Sequence, residues 1–472
     1  MTQGQQAKDA VTLKRNGLTV ECFFDNSGKL ARKIERYERQ FTEYAYLYDA
    51  KGHLTTVRRD GVVTESYQYN QSGQRVEHKR DYRGFSDSTR GMLLYDEAGR
   101  LIRAGDTTFY YDKRGALTER SDNQGVTKYF YGKDTMLDRV ILPSKKEIRY
   151  AYGASNPIGP ARRFRNDTVT AEFVWFDPLR LAAYKDHETL LEYTFSYNDF
   201  GILDKVRIDA FRPKSQKPKP GTDWAASSSG WLETFAAQER QHRLHDFLGK
   251  RSMPFEFLCG CDQVGTLKIL TDKNGRLVKE IVRDSFGVQH RDSFPDLFMP
   301  IGFAGGLVDP DTGLVRFGYR DYDPSVGRFT APDPLGDTGG DHDLYDYCID
   351  DPVTMNDPSG LSPGLLLPIP WAAKQFVKGI GKRIAKSFFA DTLNAPEEMV
   401  DVRNRVRKIE EKIDDGTATK DELQRLGKDR QREDELWKDY GKHYIKHERD
   451  FYRRYFPDDD YADRKFREQQ SK

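Results

Sequence analysis

Short stretches in which apolar and polar residues alternate recur along residues 1–204. Residues 44–48 read Tyr-Ala-Tyr-Leu-Tyr, and residues 65–69 read Glu-Ser-Tyr-Gln-Tyr. Alternation with a period of two is typical of a half-buried β-strand, because successive side chains point to opposite faces of a sheet. The pattern therefore predicts many short strands, and it does not favour helices in this part of the chain.

The strands end in a repeated signature. An aromatic residue is followed by Asp or Asn, then by Gly, and then by Leu, Val or Ile, at intervals of about 16 to 26 residues. The clear copies begin at Phe24-Asp25, Tyr48-Asp49, Tyr69-Asn70, Tyr95-Asp96, Tyr111-Asp112 and Tyr197-Asn198, and weaker copies lie at Tyr131-Gly132, Tyr152-Gly153 and Phe176-Asp177. Asp or Asn opens a turn by accepting bonds from nearby backbone N–H groups, and Gly takes the position of positive φ. Each copy thus predicts a β-hairpin, and stacked hairpins can share one long sheet.

This repeat resembles the YD repeats of Rhs and related proteins, in which such hairpins wind into a hollow β-shell. The resemblance implies a mainly β fold, a spiralling YD-repeat β-hairpin shell, followed by a C-terminal α-helical segment. Some 350 residues are few for such a shell, so we expect a partial or small enclosure. An ordinary antiparallel β-sandwich with tyrosine-rich strands remains the alternative.

Residues 205–245 interrupt the repeats. The stretch 211–221 is rich in Pro and Lys, and Pro cannot donate a bond to a central strand. We expect a flexible insertion here, with a short helix over 231–247. His242 and His245 lie in that helix without a carboxylate or Cys at ligand spacing, so we do not expect a metal site.

Residues 246–361 carry the most specific resemblance, to the Rhs-associated core. The matching motifs are Phe303-Ala-Gly-Gly306, Tyr319-Arg-Asp-Tyr-Asp-Pro324, Gly327-Arg-Phe329 and Asp357-Pro-Ser-Gly-Leu361. In that family the core plugs one end of the shell and acts as an intramolecular aspartyl protease that cuts after the final Leu. The resemblance implies Asp333, Asp357 and Arg328 as catalytic residues and Leu361–Ser362 as the cleaved bond. Asp337 departs from the family pattern, which has an apolar residue there.

The residues alone leave two interpretations of Asp333 and Asp357 open. Two carboxyl groups that share one proton can act as base and acid in peptide hydrolysis. Each Asp also precedes a Pro, and Asp-Pro commonly begins a turn, so both residues also fit a purely structural role.

Residues 362–472 differ in composition from everything before them. An apolar, Pro-broken stretch over 363–371 leads into a basic amphipathic helix, and residues 372–390 suit contact with a membrane or with the shell wall. A predicted αα-hairpin follows, with helices ending near 414 and running from 419 to about 455. Its candidate effector residues are His443, His447 and Glu448, and a partly exposed helix face is the alternative. In the Rhs family this segment is usually a toxic effector.

The bulk composition excludes several classes of function. The net charge of the 472 residues is +1, which gives no electrostatic case for nucleic acid or membrane binding by the whole chain. Four cysteines are too few for a disulfide scaffold, and the Cys259-Gly-Cys261 spacing does not suit zinc, so we expect buried thiols, no metal and no cofactor. The N-terminus lacks the apolar stretch of a secretory signal, and no stretch of about 20 apolar residues occurs.

Two functional hypotheses follow. The first is a bacterial Rhs-type polymorphic toxin that is cytoplasmic until a signal-independent system exports it, with a cognate immunity protein, an export-machine component and a shell-completing protein as partners. The second is a non-enzymatic YD-repeat scaffold whose helical tail binds a partner. Domain boundaries are expected at 1–204, 205–245, 246–361 and 362–472.

Overall fold

The computed structural model describes residues 10–82, 89–132, 135–153, 156–198, 200–210, 243, 254–334, 336 and 343–361, together with residues 421, 425 and 428. The chain divides into two compact units, residues 1–379 and 380–472. All the strands below belong to the first unit.

A long antiparallel sheet of 23 strands dominates the first unit. Its first twelve strands are β1 (Val11–Arg15), β2 (Leu18–Phe24), β3 (Leu30–Tyr37), β4 (Gln40–Tyr48), β5 (Leu54–Arg59), β6 (Val62–Tyr69), β7 (Arg75–Arg80), β8 (Thr89–Tyr95), β9 (Leu101–Ala104), β10 (Thr107–Tyr111), β11 (Leu117–Asp122) and β12 (Gly125–Tyr131). The remaining eleven are β13 (Leu137–Ile141), β14 (Glu147–Gly153), β15 (Asn156–Arg165), β16 (Thr168–Trp175), β17 (Leu181–Asp186), β18 (Leu191–Tyr197), β19 (Leu203–Ala210), β20 (Phe255–Cys261), β21 (Leu267–Thr271), β22 (Leu277–Arg283) and β23 (Gln289–Asp292). Each strand pairs with the next one along the chain, so the mainly β prediction is confirmed.

The Asp or Asn of each repeat builds the turn that the sequence predicts. In the second repeat, Oδ1 of Asp49 accepts bonds from the N–H groups of Lys51 and His53, both at 2.9 Å. Gly52 donates its N–H to the carbonyl of Asp49 and has a φ of +91°, which side chains rarely tolerate. The same arrangement recurs at Asp25, Asp96, Asp112, Asn198, Asp262, Asp272 and Asp284.

The tyrosine of the repeat locks neighbouring strands together. Its hydroxyl donates a hydrogen bond to the carbonyl of the first residue of the preceding strand. These bonds run from Tyr48 to Leu30, Tyr69 to Leu54, Tyr95 to Arg75, Tyr111 to Leu101, Tyr152 to Leu137 and Tyr197 to Leu181, at 2.6 to 2.9 Å. In all but one of these repeats a single register shift lies directly before the tyrosine, which turns its ring toward the preceding repeat.

The first strands meet the last ones, so the sheet makes a full turn within about 20 strands. The side chain of Asn16 donates bonds to the carbonyls of Asp204, at 2.6 Å, and Cys259, at 3.1 Å. Farther along, Glu35 in β3 lies 2.7 Å from Lys33 and 3.4 Å from Lys268 in β21. These closing contacts come from side chains, whereas the backbone ladder among the described strands runs from β1 to β23.

A smaller sheet fills one end of the shell. It consists of β24 (Leu307–Val308), β25 (Val315–Phe317), β26 (Arg320–Asp323) and β27 (Arg328–Phe329), with 3-10 turns at Phe303–Gly305 and Cys348–Asp350. Its core is an aromatic cluster of Phe303, Phe317, Tyr322, Phe329 and Tyr347, with ring centroids 4.8 to 6.4 Å apart. We call residues 303–361 the plug.

Ion pairs join the plug to the 23-stranded sheet, which we call the shell wall. In each of these pairs the wall supplies the cation and the plug supplies the aspartate. These pairs are Lys29–Asp351, Arg75–Asp350, Arg120–Asp323, Arg163–Asp309 and Arg165–Asp311. Burial alone would raise the pKa of Asp309, but Arg163 at 2.7 Å outweighs it, and the net pKa is lowered.

We predict that Glu35 makes closure of the shell sensitive to acid. Burial alone would raise the pKa of Glu35, but Lys268 and Lys33 outweigh burial and lower it to about 2. A lowered pKa contributes stability that is present above the unfolded value of about 4.3 and is lost as the pH falls toward 2, here on the order of 3 kcal/mol. In Glu35→Gln, the urea midpoint of unfolding should fall less steeply between pH 5 and pH 2 than in the wild type. Glu43→Gln, which removes an exposed pair with Arg32, should keep the wild-type slope, and parallel curves for Glu35→Gln would contradict the prediction.

Candidate functional site

Asp333 and Asp357 lie on either side of one arginine. The Nη2 atom of Arg320 is 2.9 Å from Oδ2 of Asp333 and 3.3 Å from Oδ2 of Asp357. Arg320 begins β26, Asp333 follows β27, and Asp357 opens the last described turn. The fold therefore brings together two carboxylates that are 24 residues apart in sequence.

The two carboxylate oxygens of Asp357 have separate partners. Oδ1 accepts a bond from the N–H of Leu361, at 3.1 Å, and another from the hydroxyl of Ser359, also at 3.1 Å. Gly360 donates its N–H to the carbonyl of Asp357. This is the turn of the YD repeat with Oδ1 in its usual role, which leaves Oδ2 for Arg320.

The second oxygen distinguishes this turn from several of the repeat turns. In the turns at Asp96 and Asp272, Oδ2 pairs with an arginine of the same turn, at 2.7 and 2.8 Å. At Asp357 the partner is Arg320, which comes from another strand and also pairs with Asp333. The turn at Asp357 has the geometry of a repeat turn. The sharing of one guanidinium by Asp357 and Asp333 is a feature of the plug.

Arg320 is buried and connects three segments of the plug. Its Nε donates to the carbonyl of Gly360, and its Nη1 donates to the carbonyl of Leu344 at 3.1 Å. Its guanidinium lies 3.7 Å from the centroid of the Phe329 ring, which is cation–π geometry. Asp333 also binds Leu344, through its backbone N–H. Removing Arg320 would leave two buried or nearly buried carboxylates without this positive charge.

The last residues of the plug are clamped against the hairpin between β25 and β26. Tyr319 donates its N–H to the carbonyl of Ser359 at 2.9 Å. Gly360 has a φ of +68°, and a Cβ on it would collide with the carbonyl oxygen of Phe317. Leu361 therefore leaves the plug at a fixed place, one peptide beyond the carbonyl that Arg320 holds.

Arg328, the arginine predicted from the sequence, has a different environment. It forms an ion pair with Asp343 and donates to the carbonyl of Gly99, with Tyr95 and Tyr345 as aromatic neighbours. The arginine that bridges the two carboxylates is Arg320, and the catalytic role of Arg328 stays a prediction. Arg320 stands inside the motif Tyr319–Pro324, but proximity in sequence favoured Arg328.

The other predicted site residues are only partly described. Ser362, Asp337, His242, His245, His443, His447 and Glu448 lie outside the described residues. Arg243 and residues 421, 425 and 428 are helical, while the rest of the predicted helices stays a prediction. Cys259 and Cys261 are buried free thiols, and burial raises the pKa of both.

The described residues form neither a metal site nor a membrane-spanning helix. No group of His, Cys, Asp and Glu in the described ranges is suited to hold a metal ion. Within the same ranges, no helix has the length and apolar character needed to cross a membrane.

Comparison with known proteins identifies relatives of the shell. Residues 4–207 and 250–352 match the family model of the teneurin YD-shell. Teneurin-3 of Danio rerio is 29% identical over 314 residues, which cover 66% of this chain and 10% of that protein. Teneurin-4 of Homo sapiens is 27% identical over 320 residues, and Teneurin-m of Drosophila melanogaster is 26% identical over 350. The chain spans about a tenth of the length of these relatives.

Solved structures with some likeness belong to Tc toxins. A crystal structure of TcdB2-TccC3-Cdc42 has a TM-score of 0.47 at 14% identity, covering 79% of this chain and 18% of that one. The Tc holotoxin pore of Photorhabdus luminescens has a TM-score of 0.39 at 14% identity, covering 76% and 18%.

We predict that Gly360→Ala destabilises the plug more than Gly313→Ala does. Both glycines have a φ near +70°, but a Cβ on Gly313 meets nothing within 4 Å, whereas on Gly360 it collides with backbone. The Gly313 variant should cost about 1 kcal/mol from backbone strain alone, and the Gly360 variant distinctly more. Urea unfolding followed by near-UV circular dichroism measures both, and equal losses would contradict the clamp described above.

Proposed function

The chain belongs to the teneurin YD-shell family, and from that premise we propose that its shell carries a self-cutting plug. In this proposal Asp333 and Asp357, with Arg320 between them, cleave the Leu361–Ser362 bond. Residues 362–472 are thereby released as an effector that the shell encloses beforehand.

A single observation carries the proposal. Two carboxylates share one buried guanidinium within a few ångströms of the backbone that leads to Leu361. The same Asp357 holds the N–H of Leu361, so the residue before the proposed cut is bound directly to the candidate catalytic group. A bond within the same chain needs no separate substrate binding, which makes a modest site sufficient.

The chemistry is that of peptide hydrolysis by paired carboxyl groups. One carboxylate takes a proton from a water molecule as its oxygen attacks the carbonyl carbon of Leu361. The charge that develops on the carbonyl oxygen is stabilised by the guanidinium of Arg320. The other carboxyl group, in its acid form, gives a proton to the nitrogen of Ser362 as the bond breaks, so that water is divided between the two products.

A specific observation also supports a non-enzymatic scaffold. Asp357 performs the same turn-capping role that Asp49 performs in a repeat with no proposed catalysis. In this second proposal the Asp333–Arg320–Asp357 network only seals the plug, and the helical tail binds a partner.

Further partners are proposed for the first function alone. The outer edge of β1 has no paired strand among the described residues, so a shell-completing protein could add a strand there. An immunity protein and a component of a signal-independent export system belong to the toxin proposal, as do bacterial origin and contact of residues 372–390 with a membrane.

Self-cutting should release a fragment of about 13 kDa, in proportion to 111 of 472 residues in 54.6 kDa. We expect Asp333→Asn and Asp357→Asn to slow the appearance of this fragment at least about 100-fold, because each removes a group that transfers a proton. Asn at 357 should preserve the turn, since Oδ1 of Asn198 accepts the equivalent bond from the N–H of Ile202, four residues on, in its repeat. The fragment is measured on denaturing gels over time and its N-terminus by mass spectrometry.

Three controls separate the chemistry from the fold. Asp323→Asn alters another Asp-Pro turn of the plug and should leave cutting unchanged. Arg320→Lys should abolish cutting, whereas Arg328→Lys should not, and the opposite result would favour the arginine predicted from sequence. Wild-type protein that stays intact after long incubation would contradict self-cutting and favour the scaffold.

The effector proposal has its own test. Expression of residues 362–472 alone should arrest bacterial growth, and co-expression of a cognate immunity protein should restore it. The matched control is the same segment with His443 and His447 both changed to Ala, which should be harmless if this pair acts in the effector. Normal growth on expression of the unaltered segment would contradict a toxin.

A further inference from the structure

Most turns at the plug end of the shell present polar or small residues to solvent. The exposed pairs at their tips are Asn26-Ser27, Ala50-Lys51, Gln71-Ser72, Glu97-Ala98, Lys113-Arg114 and Lys273-Asn274. Two consecutive turns of this edge, 176–180 and 198–202, break the pattern. They carry Phe176, Leu179 and Phe200, which are 71%, 41% and 52% exposed.

Phe176 and the turn that carries Phe200 both lie next to Arg180. The guanidinium of Arg180 lies 5.1 Å from the centroid of the Phe176 ring. A Cβ on Gly201, the neighbour of Phe200, would lie 3.7 Å from the same guanidinium. We call Phe176, Leu179 and Phe200 the rim patch. Exposed aromatic side chains that lie together, rather than singly, indicate a contact surface.

The rim patch adjoins the place where the chain leaves the plug. A Cβ on Gly318 would lie 3.1 Å from Cδ2 of Leu179 and would also collide with the carbonyl oxygen of Ser359. Leu179 is thus a close neighbour of the turn that ends at Leu361. The rim patch therefore lies beside the point where the C-terminal segment leaves the plug.

The sequence that follows the exit has the composition that such a patch requires. Residues 365–371 read Leu-Leu-Leu-Pro-Ile-Pro-Trp, without a charged residue. The four residues after Leu361, 362–365, can span about 14 Å, so the chain between the exit and this stretch is short. A tether this short gives a high effective concentration at the patch, which favours the chain's own segment over a separate molecule.

We propose that residues 365–371 dock on the rim patch and form the first contact between the C-terminal segment and the shell. This contact goes beyond the proposed function, because it does not depend on whether the Leu361–Ser362 bond is cut. If the bond is cut, the patch retains the new N-terminal end beside the plug until another event removes it.

Hydrogen exchange of the full-length protein tests the docking. In wild-type protein, the amides of residues 364–371 that carry a hydrogen should exchange at least tenfold more slowly than in the double variant Phe176→Ser, Phe200→Ser. Serine keeps the backbone donors of both turns. The matched control is Phe41→Ser, which removes another exposed phenylalanine, 62% exposed, and should leave the exchange of residues 364–371 unchanged. Exchange in the wild type at the rate of the double variant would overturn the proposal.

A disulfide trap gives a second, independent reading. Leu179→Cys with Leu366→Cys should form an intramolecular disulfide under mild oxidation, since the four native cysteines are buried. Phe41→Cys with Leu366→Cys should not. Cross-linked dimers from the first pair would instead indicate a second copy on the patch and would contradict docking of the chain's own segment. A reducing gel of the same sample measures the fraction of chain that is cut. Failure of the docking and failure of self-cutting are therefore distinguishable.

Discussion

The hydrogen bond from the repeat tyrosine to the preceding strand is the contact on which the shell depends. A single β-hairpin buries too little apolar surface to be stable in water. The tyrosine hydroxyl ties the turn end of each hairpin to the first residue of the neighbouring strand, and the ring itself covers the inner face. Where the tyrosine is absent, other donors take over: the indole of Trp175 binds the carbonyl of Pro160, and Arg283 binds that of Leu267. At these two positions a donor to the preceding strand remains although the residue type differs.

That substitution explains which parts of the fold the sequence could predict. The repeats with both Tyr-Asp and Gly were recognisable because turn and strand chemistry coincide in a few residues. The strands that end at Cys261, Thr271 and Arg283 keep the Asp and Gly of the turn but lack the tyrosine. For these repeats the sequence predicts the turn and not the bond to the preceding strand. The closing contacts of Asn16 and Glu35 join residues more than 180 positions apart, and no local pattern encodes them.

The candidate site shows the same limit. Asp333 and Asp357 were recognisable through motifs, but their arginine was not, because several arginines lie close by in sequence. What selects Arg320 is its location at the start of β26, where its side chain reaches both turns, while Arg328 in β27 faces Asp343 and the repeat turn at Gly99. The net charge of +1 likewise conceals the division of charge inside the shell, where wall cations meet plug aspartates. The net charge adds these cations and aspartates together, whereas the folded structure shows them on opposite sides of the wall–plug contact.

The turn at Asp357 has the bonds of a repeat turn and ends at Leu361, the last residue of the plug. Among the described residues, its bonds are with Tyr319, Arg320, Tyr347, Ser359, Gly360 and Leu361, all of which precede residue 362. The bonds described at the exit therefore lie on the plug side of residue 362. None of these bonds uses a residue of the C-terminal segment, so we expect the shell to fold in the same way when residues 362–472 are removed or exchanged for another sequence.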